Sequence, residues 1–257
     1  MNRDQLINLN KFLDENLRYD GRKKDDYRDV EVKTGISVTA EGSAEVSIGD
    51  TVVLAGVKME LGTPYSDSPD EGVLMVGVEL SPIASREFES GPPGFNAIEL
   101  ARVTDRAIRE SRSIDTKALC VSAGEKVWIA SVDITILNDA GNLFDACSLA
   151  AIAAIKDTKL PSVDDNYVVD YHKKSDNGLP LVKTPISVTI YRIGKHLIID
   201  PTPVEIEASD ARLTVGSIDS GILCSMQKGG PGTLTKEDVI EMVSLAVDKA
   251  SDLRKLI

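Results

Sequence analysis

With 257 residues, of which 42% are hydrophobic and 27% charged, the chain has the make-up of a folded protein of one large or two small domains with a sizeable core. A formal net charge of −12 argues against a stand-alone nucleic-acid binder, so any surface for a polyanion must be local or completed by a more basic partner. Three dispersed cysteines (Cys120, Cys147, Cys224) and only two histidines (His172, His196) argue against a disulfide scaffold and a histidine-rich metal site.

The N-terminus carries no apolar signal-peptide stretch, and no run of 18 apolar residues is present, so a cytoplasmic location and no membrane contact are expected. Leu6, Leu9, Phe12, Leu13 and Leu17 recur at helical spacing and predict a short helix over residues 3 to 18. Arg18, Arg22, Lys23, Lys24 and Arg28 then form a basic cluster interrupted by Asp25 and Asp26, with the character of a solvated linker. From Val30 to Leu61, β-branched alternation broken by glycines predicts strands, with a tight hairpin at Gly49-Asp50. A polar loop over residues 62 to 72 precedes the strand GVLMVGVELS. A long irregular segment stiffened by Gly91-Pro92-Pro93-Gly94 leads to Asn96, a candidate helix cap.

The stretch Glu99 to Arg112 reads as a helix with two faces. At 100° per residue, Arg102, Arg106 and Arg109 share one narrow face with Arg112 at its edge, while Leu100, Val103, Ala107 and Ile108 lie opposite. Guanidinium forks at helical spacing suit phosphate oxygens. Ion pairs within the helix, Asp105 with Arg109 and Arg106 with Glu110, account for the same residues equally well.

Val127 to Leu137 predicts the strongest strand, followed by a turn at Asn138 to Asn142 and an alanine-rich helix from Leu143 to Ile155, apolar enough to be buried on most faces. Pro161 to Pro180 reads as a polar connection between two parts of the chain. Beyond it come a hairpin turning near Gly194, a loop from Asp200 to Asp210, two strands, and a terminal helix capped by Thr233 or Thr235. The sum is an α+β protein of two related layers.

Taken alone, the motifs carry little chemistry. The turn before the alanine-rich helix has one glycine and no basic residue, and Lys228-Gly229-Gly230-Pro231-Gly232 lacks the spacing of a phosphate-binding loop. The carboxylates between Asp200 and Asp210 could bind Mg²⁺ or act as an acid, but two prolines and a solvated loop also explain them.

Five blocks in order, YDGRKKDDYRDVEVKTG, SAEVSIGDTVVLAGV, FNAIELARVTDRAIRES, VDITILNDAGNLFDACSLAAIAAI and IDPTPVEIEASDARLTVG, resemble the RNase PH-like family, and most of all the non-catalytic ring subunits of archaeal exosomes. The resemblance implies an RNase PH-like fold of two βαβα-type layers of mixed sheets with packed helices. It divides the chain into an N-terminal helix and basic linker (1–27), a first half (28–165) and a second half (166–257). It implies heterodimers with a catalytic RNase PH-like subunit, three of them forming a hexameric ring under RNA-binding cap subunits, which degrades single-stranded RNA from the 3′ end with phosphate. No cofactor and no metal are implied. Catalytic members hold the attacking phosphate with a glycine, a hydroxyl residue and an arginine at positions that match Gly141, Asn142 and Leu143. Of two family aspartates about six residues apart, Asp210 matches the second, and the first falls at Val204, or at Glu205. No residue of this chain is therefore expected to be catalytic. Arg102 and Arg106 are expected to contact the RNA backbone, with the role extended to Arg109 on the same face. Two alternatives stand beside this: an active phosphate-dependent exoribonuclease using Glu205 and Asp210, and a scaffold whose arginines serve only ion pairs or subunit contacts.

Overall fold

The computed structural model describes residues 3–164 and 166–257, apart from the side chains of Arg3, His172 and Asp176. Hydrophobic alternation builds the first sheet. Along β3 (Thr51–Gly62) and β6 (Lys126–Asn138) every second side chain from Val53 to Met59 and from Ala130 to Ile136 is buried, as a strand with one covered face requires. These strands pair antiparallel at the centre of a sheet ordered β1 (Val30–Thr34), β2 (Gly42–Ile48), β3, β6, β4 (Val73–Leu80), with β5 (Cys120–Ser122) beside β6. Only β4 runs parallel to its neighbour, β6. The Gly49-Asp50 hairpin forms as expected between β2 and β3.

The second sheet, ordered β10 (His196–Ile199), β9 (Ile186–Ile193), β11 (Ala211–Ser217), β12 (Leu223–Gly229), is antiparallel throughout. Between the two sheets runs α3 (Leu143–Asp157), packed on β2, β3 and β9, with every residue from Asp145 to Ile155 buried. A nearly uniform apolar helix is what a position between two sheets selects. The flanking helices are α1 (Arg3–Asp14), α2 (Phe95–Glu110) and α5 (Lys236–Arg254), the last held by a capping box in which Thr235 accepts from the Asp238 amide at 3.1 Å. One hydrophobic cluster runs from Ala44 to Leu253 through both halves of the chain. The fold is α+β, as the sequence indicates.

Four expectations need correction. Helix α2 starts two residues earlier than Asn96 allows. Gly94 is its N-cap and its carbonyl accepts from the Ile98 amide at 3.0 Å, because the extended backbone after Pro92-Pro93 turns helical at Phe95. Residues 161 to 180 are not a plain connection, since β7 (Lys159–Val163) and β8 (Val169–Gly178) form a two-stranded sheet whose polar side chains give no apolar alternation to read. The stretch after Asp200 is not a solvated loop: α4 (Pro203–Ala208) closes on a capping box between Thr202 and Glu205, and Asp200 and Glu205 are buried. Nor is the basic cluster a solvated linker, as its arginines fold inward onto those carboxylates.

Candidate nucleic-acid interface

Helix α2 distributes its arginines unequally. Its buried side, including Leu100, Val103, Ala107 and Ile108, packs on β4 and α3 and turns the opposite face outward. Arg102 is exposed and makes no hydrogen bond or ion pair among the described residues. Arg106 is exposed and donates to Gln227 Oε1 of β12 at 3.0 Å rather than pairing with Glu110. Arg109 is committed: it donates to both carboxylate oxygens of Asp105, at 3.0 and 2.6 Å, and to the Leu74 carbonyl at 3.0 Å. Arg112 has left the helix, with φ of 50°.

The surface divides in the same way. Arg102 and Arg106 line one groove of about 210 Å³ with Phe95, Ile98, Glu99 and Gln227. Arg109 and Arg112 line another, of about 800 Å³, with Tyr65 and Lys117. Among the described residues, the first of these two grooves pairs an arginine unclaimed by a neighbour with one held by a neutral amide, and both can donate to phosphate oxygens without first breaking an ion pair.

Behind the first groove, and sharing Glu99 as its wall, is a cavity of about 360 Å³ lined by Leu80, Phe88, Asp139, Leu143, Phe144, Tyr191, Ile206 and Arg212 among others. Leu143, at the start of α3, faces this cavity. Of the later positions matched from sequence none does, Glu205 being buried against Arg18. Val204 is half exposed on α4, and Asp210 turns away to accept the Gly194 amide at 2.7 Å. The residues of α4 and β11 that do face the cavity are Ile206 and Arg212, also six apart. An apolar side chain and a cation occupy the cavity positions, and Arg212 is itself neutralised by Glu99, 2.6 Å away. Glycines make room here: a Cβ on Gly229 would overlap the Arg212 guanidinium, which accounts for part of the glycine-rich stretch after Lys228.

The turn at Gly141 is filled from within the chain. A Cβ on Gly141, whose φ is +96°, would overlap the Pro201 carbonyl. Next to it Asn142 donates to Asp145 Oδ2 at 3.1 Å and to Asp200 Oδ1 at 3.0 Å. Arg28 grips the buried Asp200 with Nε at 2.9 Å and Nη2 at 2.7 Å, Arg22 adds a contact at 2.7 Å, and Arg18 holds Glu205 through two parallel bonds of 2.8 and 2.5 Å. Arg18, Arg22 and Arg28 are thus each paired with a buried carboxylate of the chain. The sequence placed these residues in a linker because the partners lie more than 170 positions away.

Asp145, buried in the first turn of α3, accepts from the Tyr27 hydroxyl at 2.6 Å, the Thr189 amide at 2.8 Å and Asn142. Burial outweighs these donors and pushes its carboxyl up from 3.8 to about 7, and raises the Tyr27 hydroxyl as well. A carboxyl with a raised folded-state pKa stabilises the fold below its unfolded value and loses that contribution as pH rises towards 7. The melting temperature of the native chain relative to Asp145→Asn should therefore fall between pH 4.5 and 7.5. A difference that is flat with pH would contradict this.

The comparisons with known proteins agree in fold and extent. Residues 26–161 match RNase PH, the 3′ exoribonuclease family, domain 1, and residues 183–249 match domain 2 of that family. The chain is 44% identical to the exosome complex component Rrp42 of Methanosarcina acetivorans over 256 residues, covering 100% of this chain and 93% of the relative. It is also 44% identical to that of Thermococcus gammatolerans, covering 99% and 93%. Among solved structures, a chain of the Archaeoglobus fulgidus exosome with RNA bound to the active site superposes with a TM-score of 0.91 at 42% identity, covering 98% of this chain and 97% of that one. A chain of an archaeal exosome core gives 0.86 at 39%, covering 98% and 95%.

Proposed function

The chain belongs to the RNase PH family of 3′ exoribonucleases, and from that premise we propose that it is the non-catalytic ring subunit of an archaeal exosome. In this reading it pairs with a catalytic RNase PH-like subunit, three such heterodimers form a hexameric ring, and RNA-binding cap subunits deliver single-stranded RNA for 3′-to-5′ phosphorolysis in the cytoplasm. The observation that carries the reading is the contrast across Glu99. On one side is an outward pair of arginines, Arg102 and Arg106. On the other is a cavity lined by Leu143, Ile206 and an Arg212 already paired with Glu99, which offers no unpaired cation to a phosphate.

The chemistry follows from charge. An attacking phosphate needs cations fixed where its charge and the departing phosphate's charge develop. Leu143 supplies none, and Arg18, Arg22 and Arg28 are bound to Glu205 and Asp200. Arg102 and Arg106 can hold two backbone phosphates without reading a base, which suits degradation of arbitrary sequence. The net charge of −12 then poses no obstacle, because the RNA path is built jointly with the partner. For Arg109 the scaffold reading is favoured by its bonds to Asp105 and the Leu74 carbonyl.

The test compares the purified chain with its complex with a catalytic RNase PH-like subunit, on single-stranded RNA with inorganic phosphate. The complex should shorten RNA and release nucleoside diphosphates, while the isolated chain leaves it intact. Phosphate-dependent shortening by the isolated chain at a rate near that of the complex would reinstate the active-enzyme alternative.

A further inference from the structure

Arg212 occupies a place that its charge alone does not explain. It stands on β11, opposite Gly229 of β12 and Tyr191 of β9, and its guanidinium lies 4.5 Å from the centre of the Phe144 ring. Its other engagement is with Glu99 on α2, at 2.6 Å, with both side chains 18% exposed. Helix α2 begins without a side-chain cap and with no acidic residue in its first turn, after the Gly91-Pro92-Pro93-Gly94 segment. Among the described residues, the side chains from Phe95 to Arg102 make no other ion pair or hydrogen bond. Glu99–Arg212 is therefore the polar fastening of the half of α2 that carries Arg102, and Gln227–Arg106 fastens the next turn to the neighbouring strand.

Resting on the RNA-binding reading above, we propose that Arg212 is a positioning residue: it anchors Glu99 and so sets where Arg102 and Arg106 meet the RNA backbone. The side chain facing the inactive cavity supports the RNA groove on the far side of their shared wall. Phe144 packs against the guanidinium, Gly229 clears the space for it, and Glu99 transfers the constraint to the helix. A displacement of order 1 Å in the phosphate-binding pair is enough to weaken it.

The sign of one substitution separates positioning from plain electrostatics. Removing Glu99 takes a negative charge away from the RNA groove, so electrostatics alone would tighten RNA binding. If Glu99 and Arg212 act as a positioning pair, Glu99→Met weakens it instead. In the complex with the catalytic subunit, Glu99→Met and Arg212→Met are each expected to raise KM for single-stranded RNA by about threefold to tenfold with kcat unchanged. The double variant should be no worse than the poorer single, and Arg212→Lys, which keeps a cation for Glu99, should recover most of the loss. Size-exclusion chromatography confirms that the compared complexes are assembled; should Arg212→Met fail to assemble, Glu99→Met and Arg212→Lys carry the same comparison.

An unchanged or lowered KM for Glu99→Met overturns the proposal, and so does additivity of the two single effects. The reading beneath it is checked separately by Arg102→Glu/Arg106→Glu in the same assay. If that variant raises KM while Glu99→Met does not, only the positioning role fails. If neither does, the RNA-binding role of the helix fails with it.

Discussion

Replacing Arg18 with methionine is expected to lower the unfolding free energy by about 3–5 kcal/mol, the cost of stripping the partner from a buried charge. The side chain of Arg18 is 0% exposed and that of Glu205 2%. Besides its two bonds to Glu205, Arg18 donates to the Ile199 carbonyl at 3.0 Å and the Asp200 carbonyl at 2.8 Å. Methionine fills much of the volume but returns none of these bonds, and leaves the Glu205 carboxylate in a site built for a guanidinium. Glu205 keeps its capping bonds to the Thr202 amide at 2.8 Å and hydroxyl at 3.0 Å, so part of its charge remains served. The pair Arg18→Met/Glu205→Gln should consequently be more stable than Arg18→Met alone, with a coupling of roughly 1–3 kcal/mol. An exposed pair such as Lys33 with Glu45 serves as the contrast, because its loss should cost less than about 1 kcal/mol. Denaturant midpoints at constant slope measure all of these. A loss below about 1 kcal/mol for Arg18→Met would mean that the network stabilises nothing, as some buried ion pairs do.

This network marks where sequence reading stops. The elements whose identity is local were legible. Strand β6 shows its period and helix α3 its uniform apolarity in their own residues, and the Gly49-Asp50 and Gly194 hairpins show their turns. Arg18 differs from a linker arginine only through Glu205, 187 positions later, and no local pattern encodes that. The polar sheet of β7 and β8 escaped for a related reason, since alternation is informative only where one face is buried. That Ile206 and Arg212 face the cavity, while Val204 and Asp210 do not, has a geometric origin. Treated as a loop, residues 203 to 208 have no defined side-chain directions. Wound as α4, they turn Ile206 to the cavity and leave Val204 outside. The face shared by Arg102, Arg106 and Arg109 followed from helical periodicity. Their different partners did not, because Gln227 and the Leu74 carbonyl come from other strands.

Charge reversal at Arg102 and Arg106 should weaken RNA binding by the assembled complex more than any other pair of surface substitutions in this chain. Each lost phosphate contact removes released counterions, and for a single strand each contributes about 0.7 to the slope of log affinity against log salt. Arg102→Glu/Arg106→Glu should therefore flatten that slope by about 1.4. The loss of affinity should be largest near 50 mM salt and shrink towards 200 mM. Because backbone contacts carry no base information, the loss should be the same for polyuridine and polyadenine within about twofold. Arg109 supplies the internal control. Its guanidinium already satisfies Asp105 and the Leu74 carbonyl, so Arg109→Gln should leave the salt slope nearly unchanged and instead loosen the helix against β4. Filter binding across a salt series, on a complex made phosphorolytically silent by omitting phosphate, separates these outcomes. Equal slopes for the native and double-reversed complexes would remove Arg102 and Arg106 from the RNA path and leave α2 as a scaffold helix. Equal slope changes for the Arg106 and Arg109 variants would mean that the Asp105 ion pair opens for RNA, and that the whole helix face, rather than its first two arginines, carries the strand.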